Sequence, residues 1–176
     1  MRASRLLVPT ALLAIAGMPT PVPAQQHLPT LVASARADSV HTAGLMRAET
    51  THRWRDAARL HRESARLREL GDAQAFRCFK TAAHLSYAAN DPMGARNDMK
   101  RAAARALQRG DLEQAAQAYV DVAWLAQQQG KLGEVWTFGT QAEVLAASPR
   151  LSAAERAGVL KRITHTWNEM AVTAPR

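Results

Sequence analysis

Six histidines and a single cysteine are the residues of this chain best suited to chemistry. Glu49-Thr50-Thr51-His52 has the Glu-x-x-His spacing that puts a carboxylate and an imidazole on one helix face, as in di-iron helical bundles. Such a centre needs a second copy and two more glutamates on facing helices. The nearest counterpart, His165 with Glu169, has the i,i+4 spacing instead, and Thr50-Thr51 reads as a break in the first motif. Half of the constellation is missing, so no metal ligand is assigned. Cys78 and His84 share a helix, but six residues apart they face different ways, and the imidazole is poorly placed to deprotonate the thiol. Cys78 reads as a small apolar residue on the helix that carries Phe76 and Phe79, the other reading being a reactive or intermolecular thiol. There is no Gly-x-Ser-x-Gly elbow and no glycine-rich phosphate loop. No catalytic residue and no cofactor follow from these patterns, and the expectation is a protein that is not an enzyme.

Two arginine stripes are the other chemically distinctive feature. Arg55, Arg59, Arg62 and Arg66 share one helix face, and Arg101, Arg105 and Arg109 share another. Arg96 and Lys100 flank the second stripe, and Asp98 is its only acid on the same helix. Like charges at i,i+4 weaken a helix by a few tenths of a kcal/mol, roughly 0.2–0.5 per pair. An anionic partner would offset that cost, so Arg101, Arg105 and Arg109 are the candidate partner-binding residues, against the plainer reading of a solvated outer face.

The elements that carry these residues are marked by six two-residue breaks: Thr50-Thr51, Gly71-Asp72, Asn90-Asp91, Gly110-Asp111, Gly130-Lys131 and Ser148-Pro149. Between them run Ala-rich segments with apolar residues at i, i+3, i+4 and i+7, the period of a helix. The fold expected is all-α, with about seven antiparallel helices joined by short turns. The first helix, Leu28 to Ala48, should bury Val32, Ala35, Ser39, Ala43 and Met46. The second starts from a Thr51 cap, ends at Gly71, and lines up Trp54, Ala58, His61 and Ala65 beside Ala57, Leu60, Ser64 and Leu67. The third, from Ala73 to Ala89, buries Phe76, Phe79, Ala83 and Ser86. The fourth starts at Pro92 and buries Ala95, Met99, Ala102, Ala103 and Ala106. The fifth, Leu112 to Gln129, is apolar on more than one side, as expected of a helix with neighbours on both sides. The sixth carries Leu132, Val135, Trp136, Gly139, Ala142 and Ala146 inward. In the seventh, Ser152 and Glu155 form a capping box, and Ala154, Ala157, Leu160, Thr164, Trp167 and Ala171 form the inner face. The four tryptophans read as packing anchors.

Residues 1–24 have the layout of a secretory signal peptide. Arg2 and Arg5 precede an apolar stretch from Leu6 to Met18, and Val22 and Ala24 stand at −3 and −1 of a cleavage site before Gln25. That stretch is too short to span a membrane, which takes about 20 residues, and no transmembrane anchor is expected. The remainder, 25–176, reads as a single domain that is periplasmic or secreted. One cysteine cannot form an internal disulfide, so packing must hold the fold. The formal charge is +8, and about +6 without Arg2 and Arg5. It favours anionic partners. In an exported protein these are envelope polymers, anionic lipids or acidic proteins, and not nucleic acid.

The stretch Gly110-Asp111-Leu112-Glu113-Gln114-Ala115-Ala116-Gln117-Ala118-Tyr119-Val120-Asp121-Val122-Ala123 resembles the second half of a tetratricopeptide repeat. Gly130-Lys131-Leu132-Gly133-Glu134-Val135 looks like a second copy of the turn, and Ala142 and Pro149 resemble the later Ala and Pro of that family. The likeness is clearest over residues 93–149. Gly71 to Gly110 spans 39 residues, where the family period is about 34, so the helices here are longer. The resemblance implies an α-solenoid that binds a protein or peptide between its stacked helices. The alternative class is a compact bundle that holds a metal or small ligand, or is an enzyme.

Overall fold

The breaks in the sequence become turns because their residues satisfy helix ends. Asp72, Asp91 and Asp111 each accept a hydrogen bond from a first-turn amide, that of Gln74 at 2.7 Å, Gly94 at 2.8 Å and Gln114 at 3.0 Å. Gly110 and Gly130 close the preceding helices at φ +77° and +67°, where a side chain would be strained. Ser152 and Glu155 cap each other's backbone at 2.7 and 3.2 Å, the reciprocal arrangement expected. The structure, a computed structural model, describes residues 28–69 and 71–173. The signal-peptide reading falls on residues 1–24, outside the described residues.

The described chain is all-α. Its helices are α1 (Leu28–Thr51), α2 (Trp54–Leu67), α3 (Ala73–Ala88), α4 (Pro92–Arg109), α5 (Leu112–Gln127), α6 (Leu132–Ala146) and α7 (Ala153–Thr173). No strand occurs among the described residues. No helix among them is long and apolar enough to cross a membrane. From α1 to α6 each helix packs chiefly on the next one in sequence, and α7 packs on both α5 and α6.

Alanine dominates the buried faces, which lets helix axes approach closely. One core cluster runs from Ala65 of α2 through Phe76 and Phe79 of α3 and Met99 of α4 to Val122 and Leu125 of α5. A second joins Ala116 and Val120 of α5 to Ala142 and Ala146 of α6 and Val159 and Ile163 of α7. α5 thus belongs to both cores, as its two apolar sides require. Apart from the apolar contact of α5 with α7, the links described between next-but-one helices are of another kind. They are polar or aromatic: His41 of α1 to Cys78 of α3, Arg62 of α2 to Asp98 of α4, Tyr87 of α3 to Trp124 of α5, Lys100 of α4 to Glu134 of α6, and Asp121 of α5 to Arg162 of α7.

Several sequence expectations are corrected. Thr51 is the last residue of α1 and not a cap; α2 follows Arg53, which makes no side-chain cap bond. Gly71 lies in the turn beyond α2, three residues past the Arg68 C-cap. In α1 the face toward α2 is Ala37, His41 and Gly44, while Ala35, Ser39, Ala43 and Met46 are exposed. In α6, Leu132 and Trp136 point outward, 64% and 66% exposed, so Trp136 is not a packing anchor. Among the described side chains of α7 the buried ones are Val159, Ile163 and Thr166, with Trp167 half-buried, and Ala154, Ala157, Leu160, Thr164 and Ala171 stay exposed. The branched side chains win because they remove more apolar area from water than a row of alanines, at about 25 cal/mol per Å².

Candidate functional site

Three helices converge at the α1–α3 corner and bring together residues distant in sequence. His41 is on the inner stripe of α1, His61 is fully buried on α2, and Cys78 is fully buried on α3. The Nδ1 atoms of His41 and His61 lie 3.1 Å apart, and their rings meet edge to face. Cys78 Sγ is 3.4 Å from His41 Nδ1 and 3.6 Å from the Ser64 hydroxyl. That hydroxyl donates to the Ala37 carbonyl at 2.7 Å, which ties the corner to α1. His61 Nε2 is buried without a hydrogen-bond partner. The ring fits there because α1 has Gly44 opposite: a Cβ on Gly44 would stand 3.1 Å from Nε2.

Electrostatics hold the two imidazoles neutral. Burial, with His41 beside it, lowers the His61 pKa to about 4. Burial and the Arg68 guanidinium lower His41 as well, against Asp38. Burial pushes the Cys78 thiol up, although Ser64 and Arg68 favour its thiolate. Arg68 is itself buried and held by Asp38 and, at 3.1 Å, by Asp72. Two neutral imidazoles and a thiol in contact form a set of ligands for a borderline-soft metal ion.

A second feature is a groove of about 400 Å³ whose walls are the alternate helices α3, α5 and α7. Ala83, Met99 and Leu125 form its floor, and Tyr87 and Trp124 meet at one side with centroids 5.4 Å apart. Arg162 donates to Asp121 across it, and His165 Nε2 lies 3.3 Å from Glu169 at the rim. Burial raises the Asp121 pKa, and Arg162 opposes the shift. A hollow of about 660 Å³ near the α2–α3 turn is larger, but its Arg68 is already committed to Asp38 and Asp72.

The candidate residues from sequence are distributed differently from their helical pattern. Arg101 reaches Asp98 at 3.4 Å, Arg105 reaches Gln108 at 3.4 Å, and Arg109 binds Asp111 at 2.5 Å and Gln114 at 3.2 Å. The neighbouring Arg96 and Lys100 turn to Glu134 of α6, at 3.4 and 2.8 Å. Within the stripe Asp98 and Asp111 compensate Arg101 and Arg109, Arg105 meets only the neutral Gln108, and Glu134 takes up the flanking cations. Arg62 leaves its own stripe and bonds Asp98 at 2.7 Å and Ser86 at 2.6 Å. His84 lines the groove with Asp121 and is not the partner of Cys78. Glu49 lies outside the described side chains. His52 forms the α1–α2 turn at φ +49°, against Trp54.

Spacing along the chain does not encode the His41–His61–Cys78 corner, since its members come from three helices. The sequence holds two partial signals of it. His61 falls on the apolar line of α2, and His41 shares a stripe with Ala37 and Gly44. No known protein-family model matches the chain, and no curated protein matches it either.

Proposed function

We propose that this protein is an exported, non-enzymatic helical-repeat scaffold that binds an extended peptide segment of a partner protein. The reading is carried by one observation: the groove whose walls are the alternate helices α3, α5 and α7, with an apolar floor and polar rims. A surface shared by every second helix is what a tetratricopeptide-like stack offers a peptide. Tyr87 and Trp124 supply amphipathic aromatic area, and Asp121, Arg162, His165 and Glu169 supply polar groups for orientation. Export is supported by the arrangement of Arg2, Arg5, Leu6 to Met18 and Ala24.

The test is site-specific photo-crosslinking in extract from the cell envelope of the source. A photoreactive residue replaces His165 at the groove rim in one variant and Leu107, an exposed residue of α4 outside the groove lining, in another. The expected result is one partner captured from position 165 and not from 107, with the crosslink mapping to a short segment of it, and lost on Trp124→Ala. Equal capture from both positions, or none from the groove, overturns the reading.

A further inference from the structure

Buried polar groups must be satisfied, and the α1–α3 corner does not satisfy its own with protons alone. Only one of the two facing Nδ1 atoms can carry a proton between them, and a thiol is a weak donor. An ion would use the three facing lone pairs at once.

Two of the three distances are those of ligands around one centre, and the third pair, His61 with Cys78, lies within 4.8 Å and closes in as an ion binds. A tetrahedral zinc ion, with Zn–N of about 2.0–2.1 Å and Zn–S of about 2.3 Å, sets its nitrogens roughly 3.3 Å apart and nitrogen and sulfur roughly 3.6 Å apart. Here the nitrogen pair is at 3.1 Å, the His41–Cys78 pair at 3.4 Å, and all three ligand atoms lie within 4.8 Å of one another. We propose that His41, His61 and Cys78 bind one zinc-class divalent ion, with a fourth position left for water or an added ligand. The donor set selects this class: calcium and magnesium take oxygen ligands, while thiolate with imidazole suits zinc.

Protons balance simply. The thiol proton of Cys78 leaves to solvent as the thiolate–metal bond forms. The proton shared between the Nδ1 atoms moves to Nε2 of its own ring, so both Nδ1 atoms ligate and one proton is released per ion. Ligation ties α1, α2 and α3 at one point, and Gly44 keeps open the seat that the His61 ring needs. This inference does not rest on the peptide groove, which shares only α3 with the corner and none of its three residues.

The experiment uses the whole chain, stripped with a chelator and titrated with Zn²⁺ and, separately, Co²⁺. The expected result is one ion per chain, with a cysteine-thiolate-to-cobalt charge-transfer band in the near ultraviolet. Cys78→Ser should abolish that band, and His41→Ala should weaken binding at least tenfold. Circular dichroism shows whether each variant folds, and if neither does, the wild-type cobalt spectrum decides alone. Absence of tight binding, a wild-type cobalt spectrum with no thiolate band, or binding unchanged in both folded variants overturns the proposal and leaves the corner as a hydrogen-bonded core.

Discussion

Arg62 of α2 donates from Nε to Asp98 Oδ2 of α4 at 2.7 Å, and Asp98 is 1% exposed. The pair joins two helices that are separated in sequence by α3, and Ser86 of α3 sits between them, bonded to both. Burial raises the Asp98 pKa even against Arg62, so the carboxylate depends on its partner. Asp98→Ala leaves the largely buried Arg62 guanidinium without its carboxylate and should cost about 3–5 kcal/mol. The double variant with Arg62→Met should recover a good part of the loss. Urea melts of the four proteins form the cycle, and simple additivity would show that the two residues do not interact.

The His61 imidazole gives the metal-free chain a predictable acid response. Its folded pKa of about 4 lies below the ordinary 6.5. The unfolded chain therefore binds more protons between these values. Stability should be full above about pH 6.5 and fall as pH drops toward 4, with His61 contributing about 3 kcal/mol of the loss. His41, shifted the same way, adds to it. Denaturant melts at several pH values in chelator check this. If His61→Gln has the same pH slope as the wild type, the imidazole is not the source.

Gly139 and Gly158 should respond oppositely to the same substitution. A Cβ on Gly139 would come within 2.5 Å of the Trp167 ring, whereas one on Gly158 meets nothing within 4 Å. Gly139→Ala should push α7 off α6 and destabilise by about 1–3 kcal/mol. Gly158→Ala should stabilise by roughly 0.5–1 kcal/mol through helix propensity. Thermal melts that shift in the same direction would contradict the close approach of Trp167.

Reversing Arg101, Arg105 and Arg109 together to Glu tests the stripe. On the helix pattern alone the change should leave stability nearly untouched. The structure predicts a loss instead, because the new carboxylates would face Asp98 and Asp111. Arg105→Glu alone, whose partner is the neutral Gln108, should be nearly silent. A thermal melt unchanged by the triple reversal would mean that these contacts carry no stability. Retention of the partner by folded Arg105→Glu would favour the solvated face.

Helix positions were legible because the turns are written in Gly, Asp, Asn and Pro, and because Phe76, Phe79, Met99 and Val122 mark unambiguous faces. The failures lie where the chain is rich in alanine. In α1 an Ala or Ser stands on every side, and in α7 the stripe of Ala154, Ala157 and Ala171 rivals that of Val159 and Ile163, so more than one stripe fits the helical period. Which one is buried depends on what the neighbour presents: His61 and Ser64 to α1, and the Gly139 notch to Trp167 of α7. The His41–His61–Cys78 corner and the Glu134 partners of Arg96 and Lys100 are tertiary, and no local spacing encodes them.

The two kinds of helix contact have a kinetic consequence. Apolar packing chiefly joins chain neighbours across short turns, so little loop-closure entropy opposes forming any one hairpin. The polar links to next-but-one helices, such as Arg62–Asp98 and Asp121–Arg162, close loops of 36 and 41 residues. They can form only after two hairpins have met. Folding should therefore start wherever a hairpin first closes, and the cross-links should lock last. Weakening one of them would then quicken unfolding while leaving the refolding rate almost as it was.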